Sequence, residues 1–217
     1  MKAEAQRLIE ALGQKTPALI PLLEELKEAC ELLIDSFDQG GWLLLCGNGG
    51  SAADCEHIAG ELLKGFLLKR PIPLADQQQI LCANEQDEAL KSALSRLQLG
   101  LPALPLVSQS ALSTAITNDL GGDLIFSQQV LALGRPGDVL LGISTSGNAQ
   151  NVYLAMQLAR GLGMKTIALT GATGGRLKAV ADVCLAVPAI ATPDVQELHL
   201  PLYHTLCAAL ERHYFSE

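Results

Sequence analysis

Apolar residues recur every three or four positions through the first forty residues, in "AEAQRLIEAL" and "PALIPLLEELKEACELLIDSF". That period predicts amphipathic helices. Gly13 to Pro17 interrupts it, so residues 1–40 are expected to form a helical hairpin. Its apolar content is high for a lone hairpin, which predicts packing against a second copy of the chain as well as its own domain. The texture then changes. Short apolar runs stand at "WLLLC" (42–46), "LPLVS" (104–108), "DVLLGIS" (138–144), "KTIALTG" (165–171) and "VCLAVP" (183–188). Each has the length of a buried strand, and helical stretches lie between most of them. A parallel sheet with crossover helices is the natural assembly, an α/β fold. The chain closes on a helix from about Asp194 to His213. No repeat of solenoid period and no low-complexity linker divides the 217 residues, which read as a single domain, 1–217.

Composition narrows the function classes. Apolar residues make up 49% of the chain, enough for a sizeable core. The net charge of −8 argues against a nucleic-acid partner, because no basic stripe is present to release phosphate counterions. It leaves room for a small anion, which needs only a local site. Cys30, Cys46, Cys55, Cys82, Cys184 and Cys207 show no C-x-x-C spacing and sit in apolar surroundings. That usage suits a reducing compartment. The first residues, "MKAEAQRLIEALG", lack the apolar core of a signal peptide, and no run is long enough for a membrane helix. A cytoplasmic protein with no membrane partner is expected.

Two predicted strands end in the same way. One runs into "GNGGS" (47–51) and the other into "STSGN" (144–148). In open α/β sheets, ligands bind beyond the carboxyl ends of strands. Glycines let backbone N–H groups turn inward, and a following helix N-terminus carries about half a positive charge. Ser51, Ser144, Thr145 and Ser146 add hydroxyls. Taken singly, such a loop is an ordinary turn and cap, with Ser51 and Asp54 spaced as a capping box. Two of them predict a phosphate cradle built without lysine. Neither matches G-x-x-x-x-G-K-[ST], so a nucleotide P-loop is not expected. Past the first loop, His57 and Glu61 stand four residues apart on one helix face. Alone, such a pair is an ordinary surface contact worth a few tenths of a kcal/mol.

"CGNGGSAADCEHIAGEL" together with "GISTSGN" resembles the sugar isomerase (SIS) domain in its phosphoheptose isomerase branch. Two further segments match in order: "ITNDLGGDLIFSQQV" (116–130) and "TPDVQELHLPLYH" (192–204), the latter similar to a Q-E-x-H-x-x-x-x-H helix. The resemblance implies a five-stranded parallel sheet flanked by helices, a flavodoxin-like three-layer sandwich. It implies a homotetramer with active sites at subunit interfaces. The implied reaction converts sedoheptulose 7-phosphate to a heptose 7-phosphate, an aldose–ketose isomerisation through an enediol. By the same resemblance Glu61 is the catalytic glutamate and His204 the catalytic histidine. Asn48, Gly49, Gly50, Ser51, Asn118, Asp119, Ser144, Thr145, Ser146 and Gln196 are implied to bind the phosphorylated sugar. His57, Glu61, Gln196 and His204 match a zinc site, one Zn2+ per subunit. A glutamate held tightly by zinc is a poor base, so a bound ion must leave one oxygen of Glu61 free or serve structure. His199 reads as a supporting residue, and Cys55 as a small core residue.

The chain departs from the family pattern in places. Ala149 follows "STSGN" where a serine is usual, and "LKGF" places Lys64, with no arginine, before Phe66. Residues 70–107 exceed the expected connection, and "EQDEALKSALSRLQLGL" within them reads as one extra helix, a lid or rim over the sugar end of the pocket. Pro201 falls in the closing helix, where it removes a hydrogen bond and is expected to kink the chain. A kink would help Gln196 and His204 converge, since eight residues on a straight helix leave them about 80° apart. The alternatives are a non-catalytic SIS protein, whether a phosphosugar sensor or a tetramer that binds a replication initiator, and a SIS isomerase for another sugar phosphate. Presence of His57, Glu61, Gln196 and His204 together favours catalysis.

Overall fold

The computed structural model describes residues 1–84 and 86–215. Its sheet comprises β1 (Leu43–Gly47), β2 (Ala103–Pro105), β3 (Val139–Ser144), β4 (Lys165–Thr170) and β5 (Val183–Ala186). All neighbours are parallel, in the order β2-β1-β3-β4-β5. The five predicted runs are therefore the five strands. They read as continuous apolar runs because both faces are covered. Leu43, Leu45, Val139, Leu141 and Ile143 join the core on one face, and Leu44, Cys46, Leu140 and Ala168 the core on the other. β2 is shorter than its apolar run. It ends at Pro105, which has no N–H for a ladder and is tolerated at an edge, although Leu106 N still donates to Leu45 O (2.9 Å).

Helices α1 (Ala3–Lys15), α2 (Leu23–Asp38), α3 (Gly50–Leu63) and α9 (Thr192–Phe215) supply the first core. α7 (Ile125–Leu133) and α8 (Gln150–Gly161) supply the second. The N-terminal hairpin forms, but its break is displaced. Gly13 lies inside α1, buried where a Cβ would press on Leu23, and α1 stops at Thr16. A 3₁₀ run, Pro17–Leu22, then leads into α2. α9 is longer than expected and stays helical through Pro201.

The long connection after α3 holds two helices where one was expected, α4 (Leu74–Cys82) and α5 (Glu88–Leu94), followed by β2 and then α6 (Ser110–Asp119). Glu85, part of the predicted helix, lies outside the described residues. Asp87 accepts from Leu90 N (2.6 Å) and so starts α5 anew. The base of this excursion is closed. Leu99 N donates to Arg70 O (2.8 Å), Arg70 N to the Gln98 carboxamide (3.1 Å), and Leu101 N to Leu62 O (2.9 Å).

Candidate active site

The strand order reverses its direction of growth between β1 and β3, the switch point where open α/β sheets form a crevice. Both glycine–serine loops emerge there, since Gly47 of β1 pairs with Ile143 of β3. Gly49 (φ +55°) and Gly147 (φ +67°) occupy the left-handed region, which disfavours a side chain. At Gly147 a Cβ would also collide with the carbonyl of Gly174. The expected capping box is absent. Gly49 is the cap residue of α3 and makes no side-chain bond, while Ser51 sits buried in the first turn. Asp54 is drawn away to a different partner.

Asn48 and Asn151 exchange two amide hydrogen bonds, both 2.9 Å, which tie the first loop to the start of α8. Ser146 Oγ accepts from Asn148 N (3.2 Å), Ser144 is buried, and Thr145 O accepts from Gly171 N (2.9 Å). Ala149 caps α8 without a side-chain bond, so that hydroxyl is missing from the cradle. Gln196 lies on the cradle: its carboxamide is so close to Gly50 that a Cβ there would strike it. Asn118 and Asp119 end α6, exposed and bonded to each other (2.8 Å). Arg176, which no sequence pattern singles out, borders the second loop. Its backbone N–H donates to Asn148 (3.1 Å), its guanidinium to Gln150 (2.6 Å), and it stacks on Tyr153 at 3.7 Å.

Two turns into α3 the acid–base residues assemble. His57 Nε2 stands 3.2 Å from Glu61 Oε1 and 3.3 Å from His204 Nε2. Lys64 Nζ reaches the other oxygen of Glu61 at 3.4 Å. The Phe66 ring tilts against His204 with centroids 5.5 Å apart. α9 runs alongside α3 in the same direction, placing Gln196 at Gly50 and His204 at His57. The two α9 residues thus serve successive points along α3, with α9 still helical between them.

Tyr203 was not expected in this group. Its hydroxyl donates to Asp54 Oδ1 (3.2 Å) and lies 3.0 Å from His57 Nδ1. Burial, and then the neighbouring Asp54, raise the Tyr203 pKa, so the hydroxyl keeps its proton. With that proton on Asp54, the network assigns the His57 hydrogen to Nδ1. His57 Nε2 then presents a lone pair to Glu61 and His204. Burial raises Asp54, opposed by the Tyr203 hydrogen bond and His57. Burial lowers His204, helped by the neighbouring His57 and opposed by Glu61. That shift keeps the His204 imidazole neutral, with one nitrogen to accept a proton and one N–H to donate.

Among the described residues no group of three or more His, Cys, Asp or Glu side chains forms a ready-made metal site. His57, Glu61 and His204 make a pairwise chain with His57 at its centre. The thiols take no part. All six cysteines are free, and burial pushes Cys30 and Cys46 up to about 12 and raises Cys55. Cys55 is a core residue, as expected.

This fold, with two glycine–serine loops at the switch point, defines the SIS-domain class, and the SIS domain family matches residues 20–98 and 80–171. The phosphoheptose isomerase of Akkermansia muciniphila is 37% identical over 204 residues, covering 94% of this chain and 93% of that protein. That of Trichlorobacter lovleyi is 42% identical over 205 residues, covering 94% and 89%. A solved phosphoheptose isomerase from Neisseria gonorrhoeae superposes with a TM-score of 0.72 at 37% identity, covering 96% of this chain and 94% of that one. One from Francisella tularensis gives 0.74 at 31% identity, covering 94% of each. The chain belongs to the phosphoheptose isomerase family of SIS-domain proteins.

Proposed function

We propose that the protein interconverts sedoheptulose 7-phosphate and a heptose 7-phosphate through a 1,2-enediol. The observation that carries this reading is the contact of His57, on the helix that opens in the cradle, with both Glu61 of the same helix and His204 of α9. Glu61 takes a proton from C1 of the ketose while the C2 carbonyl oxygen gains one, giving the enediol. The carbon-bound proton returns to C2, the C1 hydroxyl gives up its own, and an aldehyde remains. His204 exchanges protons with the oxygens. Ser51, Ser144, Thr145 and Ser146, with the N–H groups at the starts of α3 and α8, hold the phosphate. The helix rise separates Gly50 from His57 by about 10 Å and from Glu61 by about 16 Å. That span favours a sugar whose phosphate lies several carbons from the reacting pair. Arg176 adds positive charge at the rim.

The donor set suits a divalent ion, zinc first. Two ligands about 2.0–2.1 Å from a tetrahedral zinc stand roughly 3.3 Å apart, close to the 3.2 and 3.3 Å separations at His57. The assigned lone pair of His57 and the Glu61 carboxylate face each other with only acceptors between them, which a cation would relieve. His57, Glu61 and His204 would hold the ion, with Gln196 the remaining candidate. When bound, such an ion polarises a carbonyl and offsets charge on its oxygen. Elemental analysis of protein purified without chelator checks for about one zinc per subunit.

A homotetramer with sites at its interfaces is part of the same proposal. Leu63, Leu67 and Leu200, 50%, 55% and 42% exposed, border the acid–base group and suit burial by another subunit. Sedimentation equilibrium measures the assembly. Free thiols, and no helix among the described residues long and apolar enough to cross a membrane, support a cytoplasmic site of action. The deciding experiment for the reaction is incubation with sedoheptulose 7-phosphate in deuterated water. NMR should show deuterium at C1 or C2 and growth of an aldose. An inert, folded protein would overturn the reading.

A further inference from the structure

α3 ends without a glycine cap. Its last carbonyls would lack partners, yet two are met by one side chain from outside the helix. Arg70 Nη1 donates to Leu62 O (2.7 Å) and Nη2 to Glu61 O (3.1 Å). The same guanidinium pairs with Glu211, Nε to Oε1 at 2.9 Å and Nη2 to Oε1 at 2.8 Å. Both side chains are fully buried. Glu211 also accepts three backbone N–H groups of the chain leaving α3: Phe66 N (2.8 Å), Leu67 N (2.8 Å) and Leu68 N (3.0 Å). Phe215 closes the site, its ring 4.7 Å from the guanidinium carbon.

The position of Glu211 gives this pair its meaning. It lies seven residues, about two turns, after His204 and so on nearly the same face of α9. Glu61 is in the last turn of α3, and Phe66 packs on His204. One buried ion pair therefore ties the end of the helix bearing Glu61 to the helix bearing His204. Taking two charges out of water costs several kcal/mol per ion, and apolar side chains commonly stabilise such a site as well or better. The ion pair and its five backbone contacts, two from Arg70 and three to Glu211, supply what an apolar cluster lacks, a fixed orientation.

We propose that Arg70 and Glu211 are positioning residues that hold Glu61 in register with His57 and His204 for proton transfer. This rests on the isomerase reading above. The pair lies at the opposite end of α3 from the cradle, so its loss is expected to spare phosphate affinity. A misplacement of about 1 Å can cost about 100-fold in rate.

The test is the double variant Arg70→Met/Glu211→Gln, which removes both charges and keeps a carbonyl to accept backbone N–H groups. Arg70→Lys, which keeps a cation but loses the fork, is its companion. Leu33→Ala, a core truncation in α2, controls for stability alone. For each, kcat and KM with sedoheptulose 7-phosphate are measured well below the melting temperature, and a crystal structure locates Glu61. The expected result is a kcat about 10–100-fold lower in the double variant with KM within about threefold, an intermediate kcat for Arg70→Lys, and a displaced Glu61 carboxylate. Leu33→Ala should melt earlier and keep its kcat. A double variant with wild-type kcat and an unmoved Glu61 would overturn the proposal. If that variant fails to fold, Arg70→Lys decides by the same two readings. An inert wild-type protein would sink the isomerase reading instead, and the position of Glu61 in the variant structures still judges the clamp.

Discussion

The Tyr203 hydroxyl sits between Asp54 Oδ1 at 3.2 Å and His57 Nδ1 at 3.0 Å, bridging a half-buried carboxylate to the central imidazole of the site. The other oxygen of Asp54 is buried with no hydrogen-bond partner among the described residues. Removing the hydroxyl as Tyr203→Phe leaves Asp54 without that donor and frees the tautomer of His57. Stability should fall by about 1 kcal/mol. Activity should fall about 10–100-fold, and so should affinity for zinc if His57 ligates the proposed ion, the usual cost of losing the group that orients a ligating histidine. Urea melts, turnover and metal content are the measurements. Unchanged turnover would show that His57 needs no orientation from Tyr203.

Glu61→Gln keeps the size of the side chain and loses its basicity. Turnover should drop by on the order of 10²–10⁴-fold, the range for one acid–base group. The backbone carbonyl that meets Arg70 is untouched, so the melting temperature should change little. Near-normal turnover in the folded variant would assign the base elsewhere.

The parts of the site that were legible in the sequence are those joined by local spacing. His57 and Glu61 are one helical turn apart, and each glycine–serine loop is continuous in sequence. The strands were legible because helices cover both faces, leaving runs such as "WLLLC" without polar interruption. Tyr203 was not, because its ring packs in the apolar side of α9 and its histidine partner is 146 residues away. Arg70 and Glu211 are separated by 141 residues, and each alone reads as a surface charge. Periodicity cannot reveal a pair that only the packing of α9 beside α3 creates. Gly13 misled for a related reason: it looked like a break but serves close packing against Leu23.

The cradle predicts that substrate affinity depends on its hydroxyls. Ser51→Ala/Thr145→Ala removes two of its hydroxyls while leaving the His57 group intact. Affinity for sedoheptulose 7-phosphate should weaken about tenfold or more, since each hydrogen bond to a charged group contributes about 1.5–3 kcal/mol. Turnover should fall as well, because phosphate binding also orients the sugar. Calorimetric titration checks the affinity, and a wild-type value would move the phosphate to another site.

The excursion after α3 has a closed base and an exposed tip. Leu74 is 76% exposed, while Gln98 and Leu99 bond back to Arg70. Replacing residues 74–95 with a short Gly/Ser linker therefore removes α4 and α5 and keeps the base. Loops on a rigid scaffold more often carry specificity than stability. The proposed tetramer and the phosphate affinity should survive while preference among sugar phosphates changes. Assembly lost with preference unchanged would make the segment an interface element.

His199 makes stability depend on pH. It is fully buried in α9, and neither ring nitrogen has a hydrogen-bond partner among the described residues. Burial lowers its pKa from 6.5 to about 4, with the backbone at Thr170 opposing the shift in part. Above pH 6.5 the imidazole is neutral in both the folded and unfolded chain, and its contribution is fully present. As pH falls below 6.5 the unfolded chain takes up a proton that the folded chain excludes, so stability is lost progressively until about pH 4. The gap corresponds to about 3 kcal/mol, an upper figure because local opening would relieve part of it. His199→Met removes the titration and keeps an apolar side chain. Urea melts of both proteins at pH 7.5 and 4.5 isolate this residue, since the other titrating groups cancel in the comparison. The wild type should lose more stability than the variant over that interval. Equal losses in the two proteins would mean that the folded chain admits the proton at His199 after all.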